Sequence, residues 1–140
     1  MVRDLSRLLR PRSVAVIGGG VWCENVVQQC RAIGFRGAIW PVHPTRTEIA
    51  GAPAFEGLAA LPSAPDAVFI GVNRTLTVQL VAQLAEMGAG GATCFASGFR
   101  EAQLESEDGA DLQEQLLAAA KDMPVIGPNC YGFINYLDGV

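Results

Sequence analysis

Apolar residues along the chain fall into two alternating rhythms. Ser13-Val14-Ala15-Val16-Ile17-Gly18 is a short unbroken apolar run ending in glycines, the pattern of a strand buried on both faces. Cys23, Val26, Val27 and Cys30 follow at i, i+3, i+4 and i+7, the spacing of one helix face. Gly34 is placed to end that helix. Ala38-Ile39-Trp40-Pro41-Val42 predicts a second strand, with Pro41 expected at its end because proline donates no ladder hydrogen bond. From His43 to Pro65 the chain is polar and turn-rich, and Leu58, Ala59 and Leu61 are spaced for one short helical turn. Asp66 to Val72 predicts a third strand. Leu76, Leu80, Val81, Leu84 and Met87 mark a second helix that Gly88 stops. Gly91 to Ala96 is a fourth strand, Leu112, Leu116, Leu117 and Ala120 mark a third helix, and Pro124 to Gly127 is a short fifth strand.

Strands alternating with helices of about 12 residues specify βαβ units and a parallel sheet. Right-handed crossovers put helices on both faces. The fold class expected is therefore α/β, a Rossmann-like doubly wound parallel sheet of about five strands. Residues 1–140 read as a single domain with no internal repeat, low-complexity tract or linker. The chain stops soon after its fifth strand, at Asp138-Gly139-Val140. That is a natural end for such a unit and also a place where a longer multidomain protein divides, so an excised domain is expected.

Composition narrows the function classes. The 140 residues are 50% hydrophobic and 17% charged, with 16 Gly, too apolar for disorder and long enough for a sizeable core. No run of 18 apolar residues is present, so no membrane span is expected, and the first residues lead into no apolar signal region. The net charge of −4 argues against a nucleic-acid partner, which asks for a basic surface. Cys23, Cys30, Cys94 and Cys130 form no CxxC pair and read as reduced thiols of a cytoplasmic protein, with no metal site. Nine of the ten basic residues are Arg and the other is Lys121. Any bound anion is therefore left to backbone N–H groups and to the planar fork of Arg.

In an open parallel sheet, ligands bind beyond the strand carboxyl ends. Five turns converge there: Gly18-Gly19-Gly20, Pro41-Val42-His43-Pro44, Gly71-Val72-Asn73-Arg74, Ala96-Ser97-Gly98-Phe99 and Gly127-Pro128-Asn129-Cys130. The first continues as Val21-Trp22-Cys23, close to the dinucleotide fingerprint, in which glycines let a pyrophosphate approach a helix N-terminus. Cys23 stands for the third glycine and is small enough to pack near a strand. A plain β–α turn is the competing reading, and the strand–turn–helix context favours anion binding. An NAD site would also want an acid at the end of the second strand. Val42, His43 and Pro44 are there instead, no acid occurs until Glu48, and Arg46 lies nearby. That favours a ligand with a phosphate on its ribose, either NADP or coenzyme A.

His43, the only histidine, is read as a turn residue ahead of a general base, because no Ser or Cys partner adjoins it. Cys130 is read as a packing or turn residue, and Asn129 as a group that caps or hydrogen-bonds its loop. Ser97 either donates to a ligand or caps its own turn. Trp22 either covers an adenine or packs on a neighbouring domain or subunit. The six acids between Glu101 and Glu114 read as a solvated loop entering the acidic first turn of a helix. No catalytic residue is assigned.

The ordered turns, together with Leu9-Arg10-Pro11-Arg12-Ser13, Gly34-Phe35-Arg36-Gly37, Ile49-Ala50-Gly51, Leu61-Pro62, Ser97-Gly98-Phe99-Arg100-Glu101 and Gly127-Pro128-Asn129-Cys130-Tyr131-Gly132, resemble the N-terminal CoA-binding domain of the NDP-forming acyl-CoA synthetases. That group includes the ADP-forming acetyl-CoA synthetases and, more distantly, the succinyl-CoA synthetase alpha subunit. The resemblance implies coenzyme A (or acyl-CoA) at the strand carboxyl ends. It implies contacts from Gly18, Gly19, Gly20 and Val21, from Pro41, His43 and Pro44 with Arg46, from Val72 and Asn73, and from Ser97 and Gly98. Arg74, at the third-strand turn, and Asn129 complete the expected set. This sequence departs from the family in its first loop, which is short and carries Trp22-Cys23-Glu24, and in the Asn73-Arg74 pair where the family commonly has Val-Pro. The family's phosphohistidine and ATP-grasp domain lie in later domains, so a ligase domain and an ATP-grasp domain are expected as partners, in the parent chain or another subunit. The remaining alternatives are an NADP-binding domain of an oxidoreductase and a regulatory domain that has lost its ligand.

Overall fold

The computed structural model describes residues 2–102, 104 and 107–140. The elements run α1 (Ser6–Leu9), β1 (Ser13–Ile17), α2 (Val21–Ala32), β2 (Ala38–Val42), β3 (Glu48–Ile49), β4 (Ala52–Pro53), β5 (Ala67–Ile70), α3 (Arg74–Met87), β6 (Ala92–Cys94), α4 (Gly109–Ala120) and β7 (Val125–Ile126). Five strands form one sheet in the order β2-β1-β5-β6-β7, and every pairing in it is parallel. The doubly wound α/β expectation is met.

Alternation within the strands explains why their sequences are apolar throughout. Val14 and Val16 of β1 and Ala67 and Phe69 of β5 join the core that holds Cys23, Val27 and Cys30 of α2. Ala15, Ile17, Val68 and Ile70 point the other way, into the core beneath Val81 and Leu84 of α3 and Leu112 and Leu116 of α4. Successive side chains of a strand face opposite sides, so a sheet covered on both sides leaves β1 beyond Ser13, and all of β5, without a polar residue. The predicted strands over 66–72, 91–96 and 124–127 are each shorter in the structure, because their outer residues turn away to build the loops at the sheet edge.

Two sequence expectations are corrected. Pro41 lies within β2, opposite Val16, and not at its end. It is tolerated because β2 is an edge strand: the Pro41 carbonyl accepts from Phe55 N on the outer side, so the missing N–H also faces outward. The segment from His43 to Pro65 is not turns alone. It holds the antiparallel β3–β4 pair, closed by Ala50 at φ 49° and Gly51 at φ 77°, the positive-φ pair that a two-residue hairpin needs. The expected single turn follows it at Leu58–Ala60. Gly88 ends α3 in the left-handed conformation, as expected.

At the opposite, amino-terminal edge, Asp66 ties α1 to the sheet. Its carboxylate accepts from Arg7 Nε at 2.6 Å and from the Arg12 backbone N–H at 2.8 Å. Burial alone would raise its pKa, but the Arg12 N–H and the Arg7 guanidinium outweigh it and hold the carboxyl below its usual value. A depressed folded-state pKa stabilises above the unfolded value of about 3.9 and is lost as pH falls through the folded one. Asp66→Asn is therefore expected to cost about 1–3 kcal/mol at neutral pH. In denaturant titrations that gap to the parent should close on acidification below the ordinary aspartate range, and a gap independent of pH would refute the assignment.

Candidate functional site

The chain leaves β1 for β2 on one side and returns to β5 on the other. That reversal opens a crevice at the carboxyl ends of β1 and β5, the place where such sheets bind ligands. Gly18 begins it at φ 126°, and a Cβ there would stand 2.6 Å from the Gly71 carbonyl oxygen. Gly18 N donates to Val42 O at 3.1 Å and Gly71 N to Ile17 O at 2.8 Å, so three strand ends are knitted together. Cys23, 1% exposed, packs its Sγ against this junction, 3.6 Å from Ile17 O and 3.9 Å from Gly71 O. A Cβ on Gly71 would come within 2.4 Å of that sulfur. The thiol thus fills the gap between helix and strand ends where the fingerprint has its third glycine, and burial pushes its pKa up.

Behind this turn, α2 starts at Gly20 with no side-chain cap, and nothing lies within 4 Å of where a Gly20 Cβ would be. A helix start has backbone N–H groups without intrahelical partners, and with the macrodipole these favour an anion. The start of α3 differs. Asn73 caps it, its side chain accepting from Leu76 N at 2.9 Å. The Asn73 carboxamide oxygen is thus committed to the fold.

The turn after β2 closes over the glycines. His43 Nδ1 accepts from the backbone N–H of Thr45 at 3.2 Å and of Arg46 at 3.0 Å. A neutral ring accepting on Nδ1 carries its proton on Nε2. The ring lies against Gly19, where a Cβ would be 2.7 Å from His43 Cδ2. His43 thus sits inside its turn, with the Thr45 hydroxyl also 3.4 Å from Nδ1. Arg46 reaches across the same turn. Its Nη1 donates to Gly19 O at 2.8 Å and its Nη2 to the Glu24 carboxylate at 3.0 Å. Pro44 is exposed, and Val72 is half-buried against the α3–α4 core.

Farther along the edge, Ser97 is exposed and the turn beside it is braced from below. Arg74 donates to Gly98 O at 2.7 Å and pairs with Asp108 at 3.0 Å. The Glu101 carboxylate accepts from Gly98 N at 2.8 Å and Phe99 N at 3.3 Å. Asn129, at φ 55°, uses its backbone N–H to bond Ala96 O at 2.9 Å. Cys130 N donates to Cys94 O at 3.1 Å. The Cys94 thiol is raised to about 12 by burial, with Cys130 adding to the shift. Of the acidic run, Asp108 and Glu101 are partners of these braces, Asp111 lies in the first turn of α4, and Glu105 falls outside the described residues.

Trp22 packs within the domain, onto the chain's own later turns. Its ring stacks on Phe95 at 5.6 Å and tilts against Tyr131 at 5.2 Å, and its Nε1 donates to Tyr131 O at 2.8 Å. Sequence reasoning missed this cluster and the roles of Glu24 and Glu101. Glu24 was legible only as part of the short first loop, and Glu101 only as the last residue of the Ser97–Glu101 segment and the first of the acidic run.

The donor set suits an anion: an open glycine at position 20, an uncapped helix start, and the Arg46 guanidinium reaching in from the turn after β2. A family model described as a CoA binding domain matches residues 12–136. The chain is 36% identical over 99% of its length to a trans-feruloyl-CoA synthase from an unknown prokaryotic organism. It is 33% identical over 99% of its length to an ADP-forming acetate–CoA ligase II of Archaeoglobus fulgidus. It spans 20% and 21% of those two proteins. Among solved structures, the dinucleotide-forming acetyl-coenzyme A synthetase 1 of Candidatus Korarchaeum cryptofilum, in complex with phosphate and ADP, superposes with a TM-score of 0.83 at 26% identity, over 96% of this chain and 29% of that one. With the family model matched over most of its length, the chain belongs to the CoA binding domain family.

Proposed function

We propose that this domain binds coenzyme A across the strand carboxyl ends, with phosphate at the Gly18–Val21 turn and the 3′-phosphate at Arg46. The observation that carries the reading is the uncapped start of α2 at the open Gly20, at the sheet's switch point, with Arg46 reaching in from the turn after β2 to the Gly19 carbonyl. Bound CoA supplies a thiol nucleophile for acyl transfer. The residues of this chain bind and orient. Backbone N–H groups of the turn meet phosphate oxygens, Arg46 adds a positive charge, and the His43 ring forms one wall. Ser97, Gly98 and Asn129 line the edge along which the rest of the ligand extends, while Arg74 holds the Gly98 turn in place. The acyl group is activated elsewhere, by ligase and ATP-grasp domains in the same chain or a partner subunit, and this domain presents the thiol to it.

Calorimetric titration with CoA tests the reading, and absence of binding at millimolar ligand would end it. Arg46→Ala is expected to weaken CoA about five- to tenfold, the effect of losing a partly exposed charge-assisted hydrogen bond. Binding of 3′-dephospho-CoA should change by less than about twofold. Equal losses for both ligands would remove Arg46 from the 3′-phosphate role.

A further inference from the structure

We propose that Glu24 sets the affinity of the glycine turn by competing with the ligand for Arg46. The inference rests on the CoA reading above. Arg46 already has one anchor in the fold, the Gly19 carbonyl at 2.8 Å. Its second contact, Glu24 Oε1 at 3.0 Å, is therefore not needed to hold the side chain across the turn. Both partners are partly exposed, 39% and 34%, and an exposed pair of this kind contributes little net stability. It is cheap to break. Glu24 is also the acid in the first turn of α2, where it occupies the favourable field of the helix start that a ligand phosphate would use. A phosphate brought to this turn meets two effects of one side chain: a guanidinium already neutralised and a like charge beside it. Only a ligand carrying more negative charge than the carboxylate displaces it with a net gain. Glu24 thus favours phosphate-rich ligands over singly charged ones and limits how tightly any of them is held.

The test is a double-mutant cycle by calorimetry on the 140-residue chain, using Glu24→Gln, Arg46→Ala and the double variant, each titrated with CoA and 3′-dephospho-CoA. Glu24→Gln keeps the shape and removes the charge. It is expected to tighten CoA roughly three- to tenfold at low salt, with a smaller gain for 3′-dephospho-CoA, and the gain should shrink as ionic strength rises. In the Arg46→Ala background the same change should give a distinctly smaller gain, the part owed to the like charge at the helix start alone, since contacting residues couple. Unchanged or weaker CoA binding by Glu24→Gln, or a full gain that persists without Arg46, would overturn the competition. Thermal unfolding of each variant checks that the fold is retained. If neither the parent chain nor Glu24→Gln takes CoA, the CoA reading and the competition both fail; if the parent takes CoA and Glu24→Gln gains nothing, the competition alone fails.

Discussion

Phe99→Ala is expected to cost about 4 kcal/mol of folding free energy, the usual price of emptying a fully packed aromatic site. The ring is 0% exposed and lies in the core with Leu112 and Leu116 of α4. The Phe99 backbone is itself closely packed, since a Cβ on Gly109 would stand 2.3 Å from its carbonyl oxygen. A loss of that size is a large share of the roughly 5–15 kcal/mol that holds a domain together. The consequence for binding is local as well as global. Gly98 N and Phe99 N both donate to Glu101, and the buried Phe99 ring fixes this same backbone to the core. Urea unfolding measures the first effect, and CoA titration well below the transition measures the second. A stability loss under about 1 kcal/mol would show that the ring is not packed as described.

Gly18→Ala is the next largest, expected to cost about 3 kcal/mol from backbone strain and overpacking together. At φ 126° an alanine is strained whatever the space, and its Cβ would meet Gly71 O at 2.6 Å and Cys23 Sγ at 2.9 Å. Neither neighbour can retreat. Gly71 is held by its own bond to Ile17, and Cys23 is fully enclosed. For a domain of this size the melting temperature should fall by about 10 °C. CoA binding should be lost even below the melting transition, because the turn must open to admit the methyl group. A melting temperature within about 2 °C of the parent would rule out the clash. Replacing Gly20, which has nothing within 4 Å, provides the contrast: folding intact.

What could be read from the chain beforehand follows from the range of each interaction. β1 and β5 were legible because both faces are buried and each therefore spells a continuous apolar run. α2 and α3 were legible from their spacing and their terminal glycines. The β3–β4 hairpin was not, since two-residue strands carry no periodicity and Ala50 gives no hint of a positive φ. At the site, the glycine turn and the substitution of Cys23 for a glycine were visible locally. Which side chains Arg46 and Arg74 face was not. Arg46 joins the β2 turn to Glu24, and Arg74 joins α3 to Gly98 and Asp108, so these pairings exist only once the strands are ordered in space. Trp22 failed for the same reason: its partners Phe95 and Tyr131 come from two later strand ends.

The two borders of the sheet have a bearing on how such a domain lives beside others. Along β2, Phe55 pairs with Val42, and Pro41 contributes no donor. On the far side, β7 is only two residues long. Neither border offers the long row of vacant N–H and C=O groups that templates pairing with a foreign strand. Bordered in this way, the sheet is protected at both ends from strand exchange and intermolecular β-stacking.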